Sequence, residues 1–144
     1  MNCVSDILKA KGSDICTISP TATVYVGLQQ MAEKDVGAIL IVEDGQLIGI
    51  FTERDYSRKV ILKGKSSLTT PIKELMVRDI LYISPSDTVD DCMAIMTEKQ
   101  IRHLPVMQEG ELVGLVSMRD VVNHVISHKN FKIKELEKYI TGSY

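Results

Sequence analysis

With 144 residues, 44% of them hydrophobic and 25% charged, the chain has the make-up of a folded protein and not of a disordered segment. That length suffices for one domain, or for two small repeats sharing a core, without covalent staples. A formal net charge of −2 excludes a sequence-independent nucleic-acid binder, which needs a basic surface; Arg54, Arg58, Lys59, Lys63 and Lys65 still offer local positive charge for a small anion.

Val4, Ile7 and Leu8 stand at helical spacing, so residues 3–10 form a short amphipathic lead-in ended by Gly12. Residues 14–18 are a brief extended segment, punctuated by Ser19-Pro20. Thr23 is the N-cap of a helix running to about Lys34, with Val24, Leu28 and Met31 on one face. Val36 to Val42 is continuously apolar, the pattern of a short strand buried on both sides. Asp44-Gly45 is a hairpin turn and Gln46 to Phe51 the returning strand. Thr52 then opens a second helix, Glu53 to about Leu62, completing a β-α-β-β-α order.

After a Gly, Ser, Thr and Pro-containing stretch at 63–71 the pattern restarts. Ile72 to Met76 matches the lead-in, Ser84-Pro85 matches Ser19-Pro20, Thr88-Val89 matches Thr23-Val24, and Glu109-Gly110 matches Asp44-Gly45. Residues 14–62 align with 79–127 without a gap, and about a third of the pairs are identical. The division expected is a first repeat at 4–62, a linker at 63–71, a second repeat at 72–127 and a C-terminal helical tail at 128–144. In the tail, Phe131, Ile133, Leu136, Tyr139 and Ile140 lie among charges, as in a short amphipathic helix that needs a surface. Two copies make an internal duplication, not a solenoid. The fold class expected is α+β with α/β-type packing, the two halves facing each other across a pseudo-two-fold axis with a cleft between them.

Cys3, Cys16 and Cys92 are odd in number and lack CxxC spacing, so they read as free thiols in a reducing compartment. Met1 to Ala10 has no apolar signal region, and the longest apolar run is far short of the roughly 20 residues that span a bilayer. A cytoplasmic protein without a membrane partner is expected.

The stretch with most chemical content is Gly49-Ile-Phe-Thr-Glu-Arg-Asp55, which returns 65 residues later as Gly114-Leu-Val-Ser-Met-Arg-Asp120. Thr52-x-x-Asp55 and Ser117-x-x-Asp120 have two readings. One is a capping box, the hydroxyl accepting a first-turn N–H and the carboxylate favouring the helix N-terminus. The other is a ligand corner: free N–H groups and the helix dipole seat a phosphate, the carboxylate accepts a ribose diol, and the glycine permits close approach. Thr88-x-x-Asp91 is a further box to which no function is assigned.

Two β-α-β-β-α copies, each with Gly-apolar-apolar-Thr/Ser-x-x-Asp, together with Ile101-Arg-His-Leu-Pro-Val106, resemble a tandem pair of cystathionine-β-synthase (CBS) domains, or Bateman module. The resemblance covers about residues 4–127 and is closest to stand-alone CBS-pair proteins. It implies two adenosine-nucleotide sites of crossed construction. One would combine Thr52 and Asp55 with Leu81, Ile101 and Arg102, and the other Ser117 and Asp120 with Cys16, Val36 and Gly37. Arg102 and His103 are candidate phosphate contacts, and Arg119, Arg54, Arg58, Lys59 or Lys65 further sources of charge. Gly37 and Ala38 stand where the second repeat has Arg102 and His103, so the sites are expected to prefer different ligands, AMP and NAD(H) first, with ATP and ADP next.

His124 and His128, four apart on a predicted helix, lack a third ligand, so no metal is expected. The methionines, Met31 and Met96 among them, read as core filling. The expectation is a non-catalytic regulatory module without catalytic cofactor, homodimeric, sensing adenine nucleotides and acting on an unidentified protein partner. The rival readings are an interaction scaffold without ligand and a nucleotide-processing enzyme, which would need a general base and usually a metal in the cleft.

Overall fold

The computed structural model describes residues 2–12 and 14–141, and their side chains except those of residues 130, 131 and 139–141. The molecule is α+β and divides into two compact units. Asp14–Tyr82 with Glu109–Leu112 form the first, and Met1–Ser13, Ile83–Gln108 and Val113–Tyr144 the second.

In the first unit the chain runs β1 (Thr17–Ile18), α2 (Val24–Lys34), β2 (Ala38–Glu43), β3 (Gln46–Thr52) and a single turn α3 (Glu53–Asp55). Thr23 caps α2 by accepting the Val26 N–H at 3.3 Å, and Asp35 closes it in the left-handed region at φ 53°. β1 pairs parallel with β2, and β2 pairs antiparallel with β3. The β2–β3 turn places Asp44 and Gly45 at φ 50° and 76°, the double positive φ that a tight hairpin demands. Residues Ala38 to Ile41 are fully buried, so this strand is covered on both faces. It begins two residues later than its apolar run, however, and Val36 and Gly37 lie in the connection from α2. The helix expected to run to Leu62 also differs: after α3 the chain widens into a π-helical segment, Tyr56–Ile61, with Leu62 N–H donating five residues back to Ser57. Val60 is thereby buried in a core of Ile18, Val24, Met31, Ile39, Ile41, Phe51 and Ile72.

The second unit contains α1 (Val4–Lys11), α4 (Val89–Lys99), β4 (His103–Gln108), β5 (Glu111–Ser117) and α5 (Met118–Thr141). Glu109 and Gly110, at φ 51° and 79°, repeat the hairpin turn. The counterpart of β1 is reduced to one parallel bridge, Ile83 to Val106. The reason is local. Leu40 N–H donates to the Cys16 carbonyl at 3.0 Å, but its counterpart is Pro105, which has no N–H to give. Helix α5 is unbroken over 24 residues, so the tail read as a short separate helix continues the helix that follows β5. The side chains of Phe131, Tyr139 and Ile140, and residues 142–144, lie outside the described residues.

The lead-in segments are exchanged. Thr23, at the start of α2, bridges to Pro71, and Ile72 N–H donates to Ala22 at 2.8 Å. Thr88, at the start of α4, bridges to Cys3, and Val4 N–H donates to Asp87 at 2.9 Å. Ile72, Leu75 and Met76 are therefore core residues of the first unit, and Val4 and Ile7 of the second. Among the described residues no helix is long and apolar enough to cross a membrane.

Candidate functional site

Both repeated corners lie where a strand runs into a helix. At the first, Thr52 Oγ1 accepts the Asp55 N–H at 3.2 Å, while Asp55 Oδ2 accepts the Thr52 N–H at 2.9 Å and the Thr52 hydroxyl at 3.1 Å. Asp55 is only 8% exposed, so its charge needs a partner. Lys59, one turn further along, supplies it at 3.3 Å from Oδ1 and also donates to the Leu75 carbonyl at 3.2 Å. Gly37 belongs to the same corner through its carbonyl, which accepts the Glu53 N–H at 3.1 Å.

At the second corner Ser117 Oγ accepts the Asp120 N–H at 3.1 Å, and Asp120 Oδ2 accepts the Ser117 N–H at 2.8 Å. The Arg102 carbonyl takes the Met118 N–H at 2.8 Å, the role Gly37 has in the first unit. The counter-ion arrives from elsewhere. Lys11, at the end of α1, donates to Asp120 Oδ2 at 2.6 Å and to the Leu115 carbonyl at 2.7 Å. Burial alone would raise the Asp120 carboxyl, but the Lys11 ammonium and the Ser117 donors outweigh it and hold the group below the usual carboxylate range. Burial pushes the His103 imidazole down, and nearby Asp120 opposes that while Lys11 and Arg102 reinforce it.

These contacts revise two expectations. Two first-turn donors of each helix are already engaged, by Gly37 O and Thr52 Oγ1 at one and by Arg102 O and Ser117 Oγ at the other. Each terminus has fewer N–H groups open to an anion than its sequence implied. The glycines have another task. A Cβ on Gly49 would run into Met76, its Cγ at 2.7 Å, and one on Gly114 into Leu8, its Cδ2 at 2.7 Å. Each glycine admits a lead-in side chain.

The remaining sequence-named residues are spread over both units. In the first, Cys16 is buried in the core with its thiol pushed up by burial, and Val36 and Leu81 are exposed on irregular backbone. In the second, Ile101 packs against the core, Arg102 and Arg119 are exposed, and His103 is half-buried at the start of β4. Lys11 escaped the sequence reading because it is 109 positions from Asp120, and Lys59, although only four residues from Asp55, was named there as a source of charge for a ligand and not as the partner of that carboxylate. Among the described residues no three His, Cys, Asp or Glu groups converge as a metal site, and the buried His124 Nε2 has no hydrogen-bond partner.

Comparison with known proteins is consistent with this architecture. The CBS domain family matches residues 4–61 and again 72–127. The mitochondrial CBS domain-containing protein CBSX3 of Arabidopsis thaliana is 36% identical over 98% of this chain and 73% of its own length. A solved CBS-domain protein of Burkholderia ambifaria superposes with a TM-score of 0.85 and 46% identity, over 87% of this chain and 94% of its own. The CBS pair of protein MJ0100, solved with 5′-methylthioadenosine and S-adenosyl-L-methionine, shares the fold at a TM-score of 0.78 and 23% identity, over 90% of this chain and 98% of its own.

Proposed function

Starting from the fact that this chain belongs to the CBS-domain family, with two copies of the domain, we propose that it is a non-catalytic regulatory module for adenine nucleotides. The observation that carries the reading is the repetition of a half-buried or buried carboxylate beside a hydroxyl at each corner, Asp55 with Thr52 and Asp120 with Ser117. A carboxylate has the acceptors a ribose diol requires. The two adenosine compounds bound to the MJ0100 pair support the same ligand class. AMP and NAD(H) are the first candidates and ATP and ADP the next; the base contacts expected from the family resemblance, with Leu81, Ile101, Cys16, Val36 and Gly37, are part of this proposal. Ligand acts by binding one conformation of the module or of its homodimer more tightly than another, and the changed population is read in trans by a protein partner in the cytoplasm.

A thermal-unfolding panel of AMP, ADP, ATP, NAD, NADH and S-adenosylmethionine tests this. Ligand at 100 times Kd adds about 2.7 kcal/mol, roughly 5–10 °C for a domain of this size. No shift with any of the six rejects the reading. A second reading, an interaction scaffold without ligand, is favoured by one observation: both capping boxes are complete within the protein alone. It requires that Asp55→Asn and Asp120→Asn change stability and nothing else.

A further inference from the structure

We propose that Lys11 makes the Asp120 corner select adenosine ligands that carry a phosphate over those that do not. The inference deepens the adenosine-binding reading and rests on it.

A ribose diol donates two hydrogen bonds and is best received by both oxygens of a carboxylate. Asp120 Oδ2 is already taken by the Ser117 N–H at 2.8 Å and the Lys11 ammonium at 2.6 Å. A ribose hydroxyl reaches that oxygen only when Lys11 gives it up. The ammonium is then left with the Leu115 carbonyl, a neutral acceptor, in a position where the lysine side chain is 31% exposed and Arg102 and His103 lie nearby. Drawn off its carboxylate, the ammonium keeps the neighbouring positive charge without the anion that offset it, which is unfavourable. A neutral nucleoside has nothing to offer it. A nucleoside phosphate replaces the lost carboxylate with its own anion, and the four-carbon lysine stem follows it as a mobile point charge. The same contact thus rejects one ligand class and accepts the other, which is how specificity arises from a repulsive element.

The Asp55 corner lacks this device. Its lysine comes from the helical segment that follows the aspartate and pairs at 3.3 Å with Oδ1, the oxygen that the Thr52 donors leave open, so a ribose hydroxyl can join that oxygen without displacing the ammonium. Gly37 and Ala38 occupy the positions of Arg102 and His103, and Arg54 and Arg119 precede the two aspartates alike, so neither arginine accounts for the difference.

The experiment is calorimetric titration of AMP and of adenosine into full-length protein carrying Asp55→Asn to silence the other corner, with and without Lys11→Met. The expected result is an AMP-to-adenosine affinity ratio at least ten times smaller in Lys11→Met, with adenosine tighter and AMP weaker, and an unaltered ratio in Lys11→Arg. Lys11→Gln, which keeps a donor for the Leu115 carbonyl, serves as the second charge-loss variant should Lys11→Met not fold. An unchanged ratio in the charge-loss variants, including an equal loss for both ligands, overturns the role given to Lys11 while leaving adenosine binding in place. Failure of wild-type protein to bind either ligand overturns the adenosine-binding reading itself, and the inference with it.

Discussion

The two hydroxyl–carboxylate corners descend from one seven-residue pattern and share their backbone hydrogen bonds, yet each carboxylate meets its cation by a different route. Asp55 is paired within its own helical segment; Asp120 is paired across the second unit by the last residue of α1. Duplication copies what is local, the cap and the turn, because those depend on neighbouring residues. It does not copy charge balance, which each unit satisfies with whatever side chain its packing brings near. The lead-ins show the complementary case: Ile72 and Val4 differ in identity and in local structure, a 3-10 turn against an α-helix, yet both are fully buried.

The strongest way to break this equivalence is to empty one lead-in. Ile72→Ala and Ile7→Ala should each destabilise the protein by about 3 kcal/mol, the usual range for a buried isoleucine being about 2–5. Urea unfolding followed by circular dichroism measures it, and a near-neutral Ile72→Ala would show that this residue does not close the first core. Next come the glycines. Gly49→Ala should cost about 2 kcal/mol and Gly114→Ala about 1, within the usual overpacking range. The difference follows from what the new methyl meets: the stem of Met76 down to its Cβ at 3.1 Å, against the branched end of Leu8. Equal melting temperatures for the two variants would contradict that ranking.

Cap removal is smaller. Thr52→Ala and Ser117→Ala should lose about 1 kcal/mol each, with Thr52→Ala the larger because its hydroxyl both donates to and accepts from Asp55. Thr52→Ser should recover most of the loss in thermal unfolding, and failure to do so would assign the effect to the missing methyl. The smallest effect is a pH dependence belonging to one unit alone. Burial lowers the His103 imidazole from its ordinary 6.5, so at mildly acidic pH the unfolded chain binds a proton the folded one resists. Stability therefore falls as pH drops from about 7 through that window. His103→Gln should flatten this part of the melting-temperature profile, while Ala38, its counterpart, has nothing to titrate. An unchanged slope in His103→Gln would place the dependence elsewhere.

How much of this was legible follows from distance along the chain. Asp44-Gly45 and Glu109-Gly110 announce their turns, and Thr23 and Thr88 their helices, because each device is complete within four residues. The Thr52–Asp55 and Ser117–Asp120 pairings were legible for the same reason. The reduction of the β1 counterpart to a single bridge needed one further fact, the pairing partner of Pro105, which alignment of the repeats contains but periodicity does not. The π-helical turn left no mark in the apolar pattern, since one buried position, Val60, does not distinguish an α from a π turn. The lead-in exchange and Lys11 lay beyond reach: amphipathic spacing says that a helix has a surface to cover, not whose surface it is.

That exchange has a consequence for the order in which the chain takes shape during synthesis. Residues 14–82 are contiguous and can begin to pack as they emerge from the ribosome, apart from the short contribution of Glu109–Leu112. Helix α1 emerges before them but finds its partners only when Thr88, Gly114 and Asp120 have been made. A segment translated before residues 14–82 is thus buried after them, and until then Val4, Ile7 and Leu8 are apolar surface for a chaperone to hold.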